Sequence, residues 1–178
     1  MNDFRAGRPP HRIFHAGELE AHRRFGVVDE AQATSDIVVN RLSLGIRRFI
    51  ESLPFFFISS VDPTGTQMAC GIVSRRKNAE GDPLPLLRAA ESKTLLFALP
   101  PCADGDASGG HLHEGGGVGL LFVDFQRGVR YRINGSTHLL ESDPAGEWPA
   151  DWQVVELGIA QAYGNCNARV VRLMPAPA

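Results

Sequence analysis

The sequence predicts a mainly β fold in which helices flank an antiparallel sheet. Segments with helical periodicity are confined to the first third of the chain. About six short apolar runs follow, bounded by clusters of Gly, Pro, Asp and Ser that read as turns. Hydrophobic residues make up 43% and charged residues 21% of 178 residues, a globular composition with enough chain for one sizeable core. Helices first and strands afterwards point to an antiparallel barrel or sandwich with the helices packed outside.

Taken in order, residues 1–12 with Pro9 and Pro10 read as a loose arm, 13–54 as a helical segment and 55–173 as the sheet, all in one domain spanning 1–178. Glu18 to Phe25 is helix-forming and Gly26 is a stop. Thr34, Ser35 and Asp36 offer an N-cap for a second helix, on which Ile37, Leu42, Leu44, Ile46, Phe49, Ile50 and Leu53 follow a helical period until Pro54. Phe55 to Val61 and Gln67 to Val73, joined by DPTGT, predict a hairpin. Thr94 to Leu99 is a third strand, and the glycine-rich stretch that follows Cys102 is a connection. Gly117 to Phe125 and Arg130 to Leu140 are the fourth and fifth strands, and Gln153 to Ala162 the sixth.

Bulk properties exclude several function classes. A net charge of -2 gives no basis for nucleic-acid binding through overall charge. The basic N-terminus lacks an apolar segment of signal-peptide type, and LPFFFISSV is too short to span a bilayer, so no membrane role and a cytoplasmic location are expected. Cys70, Cys102 and Cys166 form no CxxC pair, which fits a reducing compartment, and Cys70 and Cys166 read as small buried apolar residues. No Walker loop, G-x-S-x-G elbow or dinucleotide fingerprint is present.

The chemistry concentrates in basic residues. On the fifth strand Arg130 and Arg132 alternate with Val129, Tyr131 and Ile133, so both guanidinium groups share one face. Two fixed forks suit a phosphate or another anion, while water or a carboxylate across a subunit boundary are the plainer partners. Ser74, Arg75, Arg76 and Lys77 sit at the exit of the second strand, where clustered cations and a hydroxyl suit a phosphate dianion. His111 and His113, two apart beside Glu114, match no familiar zinc spacing, and no metal is expected. His15, Gly17 and Glu18 read as a helix start.

Three patches in order, FHAGELEAHRRFGV (14–27), FFFISSVDPTGTQMACG (55–71) and VGLLFVDFQRGVRYRING (118–135), resemble the pyridoxamine 5'-phosphate oxidase-like family of FMN-binding split barrels. Within it they resemble an uncharacterised branch with an N-terminal F-H-x-G-E motif, and AYGNCNARVVRL resembles that branch's closing segment. The resemblance implies a six-stranded antiparallel split barrel that forms a homodimer with FMN between the subunits. It places Arg130 at a position that contacts the flavin, and Arg132 towards the cofactor or the partner subunit. Ser74, Arg75, Arg76 and Lys77 would hold the phosphate. Two stretches depart from the branch pattern: GIVSRRKNAEGDPLP replaces a Gly-Gly-x-Pro-Gly-Phe-like segment, and Gly105-Asp106 stands where a Gly-Asn pair is usual.

The expected function is therefore an FMN-dependent oxidoreductase with an unassigned small-molecule substrate and no assigned catalytic residue. The departures favour an alternative, a split barrel that has lost flavin and serves as a binding or interaction module. A haem-binding relative is a third option, with His15, His111, His113 or His138 as the axial ligand.

Overall fold

The computed structural model describes residues 13–62, 64–101, 112, 117–164 and 170–173. Two compact units divide at Val38 and Val39. The first holds α1 (Ala16–Phe25) and α2 (Val28–Ile37). Among the described residues, the second holds α3 (Leu44–Ser52) and seven strands: β1 (Phe55–Val61), β2 (Met68–Ser74), β3 (Arg88–Glu91), β4 (Thr94–Leu99), β5 (Gly117–Asp124), β6 (Val129–Leu140) and β7 (Gln153–Gly164).

The helices differ from expectation in number and in their caps. His15 is the N-cap of α1: its Nδ1 accepts from the N–H groups of Gly17 (3.0 Å) and Glu18 (3.3 Å), and Glu18 Oε2 accepts from His15 N at 2.9 Å. This is a reciprocal capping box with an imidazole in place of the usual hydroxyl. Gly26 ends α1 in the left-handed region at φ 66°, as expected of a glycine stop. The single second helix is corrected to two. Thr34, Ser35 and Asp36 fall inside α2, and the chain then turns extended. The cause is Val39, whose backbone exchanges two hydrogen bonds with Ala162 of β7 (3.0 and 2.7 Å) and cannot also be helical. Ser43 caps the new helix, its Oγ accepting from Ile46 N at 3.3 Å.

All seven strands form one antiparallel sheet in the order β2-β1-β5-β6-β7-β4-β3. Six strands were expected, and the seventh is β3, a short strand of only four residues with no apolar run to announce it. The expected barrel is also corrected: β2 and β3 remain edges, so the sheet is not closed. It nevertheless curls around one core, because Val73 of edge strand β2 and Leu86 and Leu87 next to β3 bury in the same cluster. Phe56, Phe97 and Phe122 are fully buried at its centre, with Phe56 5.5 Å from Phe97 and 5.3 Å from Phe122 between ring centroids. A smaller cluster of Leu84, Leu96, Ala98, Trp148 and Val154 lies on the other face of β4 and β7.

Alternation assigns the two faces cleanly in the central strands. Phe56, Ile58 and Ser60 of β1, Val118, Leu120 and Phe122 of β5, and Tyr131 and Ile133 of β6 point inward. Burial pushes the Tyr131 hydroxyl above its ordinary pKa. Phe57, Ser59, Gly119, Leu121, Arg132 and Asn134 therefore point outward. Cys70, expected to be buried, is instead an exposed free thiol on β2. Cys102 and Cys166 lie outside the described residues.

Candidate functional site

The outward face of the sheet centre is built from two neighbouring cross-strand rows. Register places Ile72, Phe57, Leu121, Arg132 and Tyr163 side by side across β2, β1, β5, β6 and β7. The next row is Cys70, Ser59, Gly119, Asn134 and Gln161. Between them lies a hollow of about 470 Å³ lined by residues of both rows, though not by Ile72 or Gln161. Gly119 keeps its floor low, since a Cβ there would stand 3.0 Å from Ser59 Oγ and 3.3 Å from Asn134 Oδ1. Ser59 Oγ donates to Gly119 O at 3.3 Å, and Asn134 Nδ2 donates to Gln161 Oε1 at 3.1 Å. The Arg132 guanidinium is exposed in this hollow and bonds to no described residue.

Arg130 stands one pair further along β6, opposite Val123. It is half-buried, and its Nε is shut off from solvent without a hydrogen-bond partner among the described residues. An orphaned buried N–H is costly, which makes this end of the strand a candidate contact for an acceptor brought in from outside. The alternation Arg130–Tyr131–Arg132 is thus present as expected, but only Arg132 lines the hollow.

The second basic group separates. Arg75 Nη2 donates to the carbonyls of Glu51 (2.7 Å) and Leu53 (3.2 Å), which caps the C-terminus of α3. Lys77 is exposed, and its backbone bridges to Pro83 in the turn after β2. Ser74 and Arg76 line a different hollow, of about 330 Å³, bordered by the ends of β2, β4, β6 and β7. The two hollows share the walls formed by Ile58 and Gly71. The six basic and hydroxyl residues therefore do not form one cradle.

Sequence reasoning missed the outward half of β1. Of the run Phe55 to Phe57 only Phe56 is buried, and Phe57 and Ser59 face the hollow with Tyr163. The period-2 pattern of FFFISSV, with Ser59 outward, was the available signal. Asp151 and Trp152 of the second hollow sit in a connecting loop and carried no signal at all. His111, His113 and most of the glycine-rich segment lie outside the described residues.

Solved structures share this architecture. A candidate pyridoxamine 5'-phosphate oxidase from Lactobacillus delbrueckii superposes with a TM-score of 0.52 at 17% identity, covering 70% of this chain and 95% of its own. HupZ of group A Streptococcus superposes with a TM-score of 0.52 at 15% identity, covering 75% of this chain and 99% of its own. The chain has the fold of the oxidase-like split barrels. At these identities the oxidase-like likeness extends to the fold alone. No protein-family model and no curated protein matches the chain.

Proposed function

We propose that this protein binds FMN in the outer hollow of its sheet and acts as a flavin-dependent oxidoreductase in a homodimer. The observation that carries the reading is Arg132, a cation without a partner among the described residues, set in a hollow whose floor is lowered by Gly119. A guanidinium in that position favours an anion, either the phosphate or the electron-rich edge of a flavin ring. Phe57 and Tyr163 supply apolar contact area beside it, and Asn134 and Ser59 supply polar groups that fix orientation. Arg130 adds a second cation on the same strand, with a buried N–H that lacks an acceptor among the described residues. A bound flavin would supply two-electron redox chemistry, leaving the chain to bind, orient and set the local charge.

What surrounds the hollow supports the homodimer reading. Met68 and Ile72 of edge strand β2 are 73% and 62% exposed beside it. A second copy laid over this face would cover them and wall the hollow. The haem alternative needs a histidine ligand. Of the described candidates, His15 is occupied as the cap of α1, and His138 Nε2 lies 3.1 Å from Glu156 Oε1 across β6 and β7.

Flavin titration tests the reading. Purified protein should take up FMN with a visible band near the flavin region, and Arg132→Ala should weaken binding by about 1.5–3 kcal/mol, the cost of a lost charge-assisted hydrogen bond. Arg75→Ala should leave the titration unchanged, because its guanidinium serves α3. A protein that stays colourless after incubation with FMN would instead support the binding-module alternative.

A further inference from the structure

The second hollow differs in chemistry from the first. Val73, Ala98, Leu99, Leu139 and Trp152 make most of its wall apolar. Arg76 and Asp151 also line it, and neither pairs with the other or with any other described residue. Ser74, two residues before Arg76, lines it as well. Trp152 stands next to Asp151 in sequence.

The wall that carries Asp151 is fastened. Asp143 accepts from the backbone N–H groups of Ala145 (2.9 Å) and Trp148 (3.0 Å), and Trp148 Nε1 donates to Pro85 O at 3.0 Å. Partial burial raises the Asp143 carboxyl, but these N–H donors and the nearby Arg88 charge outweigh it and hold it below the ordinary range. Opposite charges that line one hollow with apolar walls without pairing are both free to take a partner that a ligand brings in. A ligand with one charge satisfies one of them and leaves the other facing it. A ligand with both satisfies both. Guanidinium with a hydroxyl beside it matches a carboxylate, and a carboxylate beside an indole matches an ammonium. A volume of about 330 Å³ is at the lower end for ligand pockets, which run from roughly 300 to 1,000 Å³.

We propose that this hollow binds a small zwitterion with an apolar body, of the aromatic α-amino acid class, its carboxylate on Arg76 and Ser74 and its ammonium on Asp151 beside Trp152. The proposal needs neither Arg132 nor any other polar residue of the outer hollow, and it gives Ser74 and Arg76, which the family resemblance would place on the FMN phosphate, a different ligand.

Calorimetric titration with L-phenylalanine, alongside the fluorescence of Trp152, tests the proposal. Saturable binding is expected, and 3-phenylpropionate, which lacks the ammonium, and phenethylamine, which lacks the carboxylate, should each bind at least about tenfold more weakly. Arg76→Ala and Asp151→Asn should each cost at least about tenfold, with unchanged circular dichroism because both side chains are exposed. Absence of saturation up to about 10 mM, or a loss below tenfold for either analogue or either variant, overturns it. Arg132→Ala should leave L-phenylalanine binding intact, so failure here and failure of the flavin titration are read separately.

Discussion

Gly135 sits where β6 slips register against β7, between Asn134 and the following pair. A Cβ built there would lie 2.0 Å from Gly158 O, and a backbone carbonyl in a paired strand cannot move aside. Gly135→Ala should therefore destabilise the fold by about 2–3 kcal/mol in urea titration, a typical cost of overpacking. A loss under about 0.5 kcal/mol, the scale of an ordinary surface change, would show that the bulge relaxes. Nothing in the sequence RINGST told this glycine from a turn glycine, because the contact is made with a residue on another strand. The same holds for Arg75. Its place in a run of three cations suggested a shared job, and only the fold reveals that its fork reaches back to the end of α3. Arg130 and Arg132 were legible because strand alternation is a local rule.

Among the elements, the β1–β2 hairpin shows how local chemistry fixes a turn. Asp62 accepts from the N–H groups of Thr64 (3.1 Å) and Gln67 (2.5 Å) and from the Thr64 hydroxyl, and Gly65 takes φ 73°. The Thr64 hydroxyl, then the Gln67 N–H, lower the Asp62 pKa from 3.8 to about 2. A depressed carboxyl pKa stabilises the folded turn above the unfolded value. That contribution fades as pH falls from near 3.8 through about 2. Carboxyl resonances followed by NMR should give Asp62 a midpoint near 2, and a midpoint at the ordinary value would refute the hydrogen-bond network. This hairpin was readable because DPTGT carries its own turn signals. The break between α2 and α3 was not readable, since the apolar period runs on through Val38 and only pairing with Ala162 interrupts it. β3 escaped notice for a related reason: Arg88–Glu91 reads as polar loop, and its pairing with β4 makes it a strand.

The unit from Val39 onward presents an open sheet whose edge strand β2 exposes Met68 and Ile72 on its outer face. Pairing two copies over the Met68–Ile72 side would remove both an exposed apolar patch and a bare edge. Light scattering at micromolar concentration should return twice the chain mass of 19.3 kDa, and a mass that stays at one chain would end the dimer proposal. The fold class was legible in outline from the order of helices and strands. Closure was not, because whether two edges meet depends on twist accumulated over all seven strands rather than on any one segment.

The strand order also has a temporal side. The hairpins β1–β2, β3–β4 and β5–β6 each close over a short turn, but β1 must find β5, and the Ser59 contact with Gly119 spans 60 residues. Loop closure of that length is slow and comes after the local turns. On a ribosome adding ~5–20 residues per second, Phe55–Val61 waits on the order of several seconds for its second neighbour. A newborn chain thus spends that interval with an aromatic ribbon uncovered, and crowding by other nascent chains is the hazard it must outlast.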